Sequence, residues 1–317
     1  MESHYHENSE RQKVRLRFPR RTRLIWAGVI LTLVVACLVV LAVVNNNYDR
    51  WTDEDFQRRL DTSIAAAEEW VKENEKTILQ TRNAALIKML DRCSEIHANT
   101  VFDKVVDGFL SKPVLHYSRC WVAQVDPNYP IVTWEINKAF SKESIDYKWM
   151  LYALAPDKIN VTAEELELFD REKWQGRKLT HQLWALILLK ERRYAGTDVL
   201  QLIEHLCERL RKELFWDNAV VDTYIQKVAF VLSAEHPEKI NRRWVQRIIK
   251  NQNSDGGWND RWLCFTSGRR PRFSKAPASD QHATIQALYA LYTVRYQYPQ
   301  HFGIDLSQNE LPAVSSH

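Results

Sequence analysis

The sequence predicts an all-α protein: one N-terminal transmembrane helix, then an array of antiparallel helical hairpins, interrupted by a short irregular segment with some β character. Three observations predict it. Residues 24–44 form a run of 21 without a single charge. Beyond residue 48, apolar side chains recur at the i, i+3, i+4, i+7 spacing of an amphipathic helix. Only 8 glycines occur in 317 residues, and no Gly/Ser- or Pro-rich linker divides the chain.

The basic tail comes first. Residues 1–23 hold Arg11, Lys13, Arg15, Arg17, Arg20, Arg21 and Arg23 against Glu2, Glu7 and Glu10, while the rest of the chain carries 37 cations and 37 acids. The formal charge of +4 is therefore a property of the tail. A neutral folded part argues against nucleic-acid binding, which needs its excess charge on the folded surface.

Residues 24–44 follow, about 30 Å long at about 1.5 Å per residue, the thickness of a hydrocarbon core. Lipid offers no partner to backbone polar groups, so the run must be helical. Cations on its N-terminal flank and Asn45, Asn46 and Asn47 on the other place the tail in the cytoplasm and the remainder outside. The expected location is an inner or plasma membrane, single-pass type II, with the C-terminal part periplasmic or otherwise extracytoplasmic. A cleavable signal has a shorter core of about 7–15 residues and a small-residue site, which residues 42–44 do not supply. Val34-Val35-Ala36-Cys37 loosely resembles a lipoprotein cleavage box, but seven apolar residues follow Cys37. The arginine-rich flank is also suited to anionic lipid.

Residues 48–112 are predicted to be a helical stalk or the first helices of the fold. Thr52 with Asp55 forms a variant capping box. Phe56, Leu60, Ile64, Ala67 and Val71 make the buried stripe of the first helix. Leu86, Leu90 and Cys93 mark the second, and Val101, Val105 and Phe109 the third. In residues 113–141 Pro127 and Pro130 break helical periodicity, and residues 131–136 alternate weakly like a short strand. Residues 142–299 return to helices, near 142–155, 163–173, 178–193, 198–214, 219–234, 239–251 and 280–297, with Thr162 and Glu165 as a capping box. Residues 300–317 are a C-terminal tail. Asn160-Val161-Thr162 is a glycosylation sequon.

Cys93, Cys120, Cys207 and Cys264 lie on the exported side, where disulfides are permitted. Proximity favours Cys93 with Cys120 and Cys207 with Cys264. Buried free thiols remain the alternative, because four cysteines allow three pairings. No CxxC pair supports a redox motif or a zinc ribbon, and no cofactor signature occurs.

Three segments share a design: 179–189, 222–232 and 280–291 each open with Asp or Thr-His and then become apolar on every face. Such helices are buried on every face. The helices between them, such as 199–214 with its Glu204, Glu208, Arg209, Arg211 and Lys212, are amphipathic. A curved or closed array of hairpins requires that alternation.

Residues 252–258 read Gln-x-x-Asp-Gly-Gly-Trp. Locally this ends a helix: glycine accepts the positive-φ turn, Trp258 folds back, and Gln252 reaches the orphan carbonyls. With the following His-Ala-Thr-Ile-Gln-Ala-Leu at 282–288, the motif also resembles the QW-type repeat of the terpenoid-cyclase and protein-prenyltransferase superfamily. Gln252, Gly256 and Trp258 are the matching positions, with Asp255 and Gly257 as companions. The resemblance spans residues 178–297, rests on one copy, and implies a partial α/α toroid. It carries no activity with it. The Asp-x-Asp-Asp acid of the cyclases is absent, and Asp260 and Cys264 do not have the Asp-x-Cys spacing of the prenyltransferase zinc set, so no metal is expected.

In a toroid the inner helices start at one mouth. That gathers His181, Asp222, Asp280 and His282, with Asp255 in a feeding loop, as the candidate catalytic and binding ring. For Asp222 and Asp280 taken singly, an N-cap role is the favoured reading. Trp184, Tyr224, Phe230, Tyr289 and Tyr292 would line a cavity suited to a sugar or an isoprenoid chain, Trp258 lies close by, and Arg269, Arg270, Arg272 and Lys275 form a cationic lip. The same aromatics would serve as an ordinary core. Two functions stay open: a membrane-anchored scaffold that binds an envelope protein or glycan, and an enzyme acting on a glycan or polyprenyl-linked substrate. A transmembrane signalling subunit is a third, weaker reading. Whether the protein is an enzyme is not decided by the sequence.

Overall fold

A computed structural model describes residues 20–81, 83–111, 116–142, 145–159, 176–192, 196–217, 219–259 and 279–305. The chain divides into two units, Met1–Asn45 and Asn46–His317. The first contains most of α1 (Arg20–Asn47), whose stretch Leu24–Asn47 is long and apolar enough to cross a membrane. Its leucines, valines and isoleucines point outward on every side, as a helix meant for lipid requires.

Among the described residues of the second unit the regular structure is all helical, with no strand. It opens with α2 (Asp53–Glu73), where the Thr52 side chain accepts from the Asp55 N–H. Phe56, Leu60, Ile64, Ala67 and Val71 are all buried. Because α2 packs against helices near the C-terminus, it belongs to the folded body and is not a stalk. α3 (Glu75–Thr81) leads to α4 (Ala84–Ile96), capped by Asn83, and α5 (Thr100–Leu110), capped by Asn99. A 3-10 helix (His116–Gln124), α6 (Thr133–Lys142) and α7 (Ile145–Leu154) follow. Then come α8 (Gly176–Glu191), α9 (Thr197–Trp216), α10 (Asp222–Ser233), α11 (Arg242–Lys250) and α12 (Gln281–Tyr292), the last continuing as a π-helical turn, Thr293–Gln297.

The expected strand is a correction. Residues 131–136 end in helix α6, and its buried positions Glu135, Ile136 and Ala139 follow helical spacing. Pro130 fixes only the entry. Six residues of mixed pattern fit either period, and packing of α6 on the 3-10 helix and α7 decides it. The segment expected to be irregular is thus mostly helical. The predicted helix at 163–173 and its Thr162–Glu165 box lie outside the described residues.

α8, α10 and α12 are buried along nearly their whole described length, as their all-round apolar composition demands. Packing runs in succession: α8 on α10, α10 on α12, α12 on α4, α4 on the 3-10 helix, the 3-10 helix on α7, and α7 back on α8. α9 packs on α8 and α10, and α11 on α10, α12 and α2. Two cavities fix direction. One is lined by the N-terminal halves of α4 and α12 with His181 and Trp184 of α8 and Gln226 and Phe230 of α10, the other by residues at the C-terminal ends of all four. These four helices therefore run the same way.

The 252–258 turn is a staple joining α11 to α2 and α12. Gly256 has φ +86°, and a Cβ there would sit 2.3 Å from the Ala66 carbonyl oxygen of α2. The Trp258 indole donates to the Ile248 carbonyl at 2.8 Å, and Asn251 donates to the Arg247 carbonyl. Gln252 does something other than expected. Its amide donates to the Ser63 and Gly256 carbonyls, both at 2.8 Å, and accepts from the Ser63 hydroxyl at 2.7 Å. It tethers the turn to α2 and leaves the helix end to Asn251 and Trp258.

Cys93 and Cys207 are buried free thiols, so neither neighbour pairing forms; Cys264 lies outside the described residues. Both sit in the core as small apolar groups. Burial raises the Cys93 thiol well above its usual range and pushes Cys207 up to about 12.

Candidate functional site

The cavity at the gathered helix starts has a volume of about 400 Å³. α8 contributes His181 and Trp184, α10 contributes Gln226 and Phe230, and α12 contributes His282 and Gln286. The 3-10 helix adds Trp121 and Gln124, and α7 adds Tyr147 and Met150. Its walls are aromatic. The Trp184 and Phe230 rings stack at 5.0 Å, Trp121 meets Tyr147 edge-on at 6.1 Å, and Tyr147 lies 5.7 Å from His181.

Polar groups are set into these walls. The Gln124 carbonyl accepts from the Trp184 indole at 3.3 Å, and the Gln226 carbonyl accepts from the Thr180 hydroxyl. His282 Nδ1 lies 2.6 Å from an Asp222 carboxylate oxygen, and its Nε2 lies 3.2 Å from the Gln286 amide nitrogen. One tautomer satisfies both contacts: Nδ1–H donates to Asp222 and Nε2 accepts from Gln286. The Gln286 carbonyl oxygen is buried without a hydrogen-bond partner among the described residues. An orphan acceptor at a cavity wall costs free energy that a ligand's hydroxyl or N–H would recover.

The structure sorts the expected ring. Asp222, His282, His181, Trp184 and Phe230 converge here. Asp280 does not; it caps α12 by accepting from the Ala283 N–H at 2.9 Å. Asp255 is held in the staple turn by the Gly257 N–H at 3.1 Å and the Ser279 hydroxyl at 2.6 Å. Partial burial opposes its charge, but those bonds hold its carboxyl below the usual range. Trp258 is fully buried in the same turn.

Tyr224 faces α11, where its hydroxyl reaches the Trp244 carbonyl and Arg247 lies over its ring at 4.9 Å. Burial raises its phenol above the usual range. Tyr289 lines the opposite cavity at the C-terminal ends, its phenol pushed up to about 12 by burial. Tyr292 donates to Glu68 and accepts from Asn99. Arg269, Arg270, Arg272 and Lys275 lie outside the described residues. Among the described residues no cluster of three or more His, Cys, Asp or Glu is gathered for a metal.

Sequence reasoning missed Gln124, Gln226 and Gln286, with Trp121 and Tyr147. A signal existed for two of them. Gln226 and Gln286 each interrupt a helix that is otherwise apolar on every face, and a buried amide in such a setting requires a polar partner. No known protein family, curated protein or solved structure matches the chain.

Proposed function

We propose that the protein is a single-pass membrane protein whose extracytoplasmic unit, a partial α/α toroid, binds a glycan of the cell envelope in the cavity at the shared helix starts. The closed succession of packed elements and the common direction of α4, α8, α10 and α12 support the toroid. The run at residues 24–44 and the tail's seven cations support a membrane anchor with the tail in the cytoplasm.

The observation that carries the ligand class is the presence of aromatic rings and buried amides in the wall of one cavity. A volume of about 400 Å³ falls within the roughly 300–1,000 Å³ of small-ligand sites. Sugar rings present C–H faces that stack on Trp and Tyr, and hydroxyls that pair with amides and imidazoles. The concavity favours a small ring-bearing ligand over a flat protein partner. The test is calorimetric titration of the detergent-solubilised full chain with a panel of envelope oligosaccharides, free and polyprenyl-linked. Tyr147→Ala, at the exposed edge of the cavity, is expected to weaken binding tenfold or more, about 1.4 kcal/mol. Absence of binding across the panel, or equal binding by Tyr147→Ala, overturns the proposal.

One observation favours a second reading, an enzyme acting on such a glycan. An Asp–His pair at 2.6 Å fixes the imidazole tautomer in the manner a general base needs. Under this reading Asp222→Asn and His282→Gln retain glycan binding and abolish turnover of the bound oligosaccharide. If wild type leaves every bound oligosaccharide unchanged, the binding function stands alone.

A further inference from the structure

The folded unit is neutral overall, yet its first residues collect positive charge in one place. Arg50 and Arg59 are exposed, and the Arg59 guanidinium lies 4.9 Å from the centroid of the Trp51 ring. Lys250, exposed at the end of α11, lies over the same ring at 5.3 Å. Arg50, Arg59 and Lys250 make no ion pair among the described residues. Three aspartates close to Arg50 in the chain are engaged by other arginines: Asp49 and Asp53 with Arg242, and Asp55 with Arg58. Burial and repulsion from Arg243, Arg50 and Arg59 together lower Lys250 below the usual lysine range. Burial, Arg50 and Arg247 likewise lower Arg243. A patch of cations that repel one another and make no ion pair of their own is a place where an external anion relieves that repulsion.

The position of the patch identifies the anion. Tyr48, Arg50 and Trp51 follow the apolar run by four to seven residues, so chain reach keeps them within about 25 Å of its end. The Asn46 amide donates to the Leu214 and Phe215 carbonyls at 2.7 and 2.8 Å, and Asn47 accepts from the Trp244 indole at 2.9 Å. These bonds bring the end of α9 and the start of α11 to the same point. Tyr48 and Trp216 flank it with 68% and 62% of their surface exposed. Exposed Trp and Tyr beside cations are the residues that settle at a lipid headgroup boundary.

We propose that Arg50, Arg59 and Lys250, with Trp51 between them and Tyr48 and Trp216 at the rim, form a binding surface for anionic phospholipid headgroups of the leaflet facing the folded unit. The proposal rests on the membrane-anchored reading above. The surface ties the unit to the bilayer. It is separate from the tail's arginines, which meet the opposite leaflet. Each cation near a charged lipid surface contributes about 1 kcal/mol, or about a fivefold change in lipid affinity, and salt weakens it.

The test uses the full chain in lipid nanodiscs of phosphatidylcholine alone, or with a third of the lipid as phosphatidylglycerol. Acetylation of Lys250 by a water-soluble amine reagent is followed by peptide mass spectrometry, a readout the tail does not influence. Lys250 is expected to react several-fold more slowly in the anionic discs, and high salt or Arg50→Gln/Arg59→Gln is expected to remove the difference. Equal reactivity in both lipids overturns the surface while leaving the anchor intact. Protection by inorganic phosphate added to phosphatidylcholine discs, equal to that from phosphatidylglycerol, also overturns it by assigning a free-anion site. A chain that fails to enter discs of either composition overturns the anchored reading itself.

Discussion

Replacing Gln252 by alanine tests whether the Asp-Gly-Gly-Trp turn holds the unit together through α2. The substitution removes three hydrogen bonds, to the Ser63 carbonyl, the Gly256 carbonyl and the Ser63 hydroxyl. At about 1 kcal/mol net for each bond, the loss is about 3 kcal/mol. For a folded unit of this size about 2 °C of melting temperature corresponds to 1 kcal/mol, so a fall of about 6 °C is expected. Ser63→Ala alone removes one of the three bonds and is expected to lower the melting temperature by about 2 °C. The double variant should resemble Gln252→Ala, because the Ser63 hydroxyl bond is already gone; the coupling is about 1 kcal/mol. Thermal melts of the full chain in detergent, followed by helical circular dichroism, measure all three. A shift under 1 °C for Gln252→Ala, or simple addition in the double variant, refutes the reasoning.

Two further outcomes follow from buried titratable groups. Lys227 is buried, and although burial opposes its charge, Asp217 and Glu213, each 2.8 Å away, raise its pKa above the usual 10.5. Its ion pairs therefore stabilise the fold fully below pH 10.5 and lose that effect as pH rises through the folded value. Lys227→Met should cost about 2 kcal/mol in urea denaturation at pH 7, and the difference from wild type should fade above pH 10.5. The thiols of Cys93 and Cys207 are held protonated by burial. Iodoacetamide at pH 8 should leave both unmodified in the native protein and label both in urea without prior reduction, read by peptide mass; labelling that requires reductant would show a disulfide.

Much of the architecture was legible because it rests on local rules. The Thr52 cap, the stripe from Phe56 to Val71, and the all-round apolar helices α8, α10 and α12 follow from hydrogen-bond satisfaction and periodicity over single turns of chain. The Gly256 turn was readable because a positive φ beside another backbone leaves few alternatives to glycine. The weak spots were short and mixed: six residues at 131–136 fit two periods, and α6 formed because its neighbours bury the helical face.

The candidate site was half legible. Apolar composition says that a helix is buried, and it does not say which of its faces meets a cavity and which meets another helix. Trp184 and Phe230 turn toward the cavity, while Tyr224 and Tyr292, equally buried, turn toward α11 and α2. Polar residues at helix starts are similarly ambiguous, since an Asp can cap its own helix or reach a neighbour. Asp280 does the first and Asp222 the second, pairing with His282 sixty residues away.

The sequence by itself determined a helical chain, an apolar run of membrane length, a set of helices buried on every face and one glycine-bearing staple. Those features depend on neighbours within a turn or two, where the covalent chain fixes the distances. Only the tertiary structure decided that four helices share a cavity, that Asp222 meets His282, and that Lys250 lies over the Trp51 indole. Each of those meetings joins residues far apart in the chain, and packing in three dimensions, which no local pattern encodes, sets the distance between them.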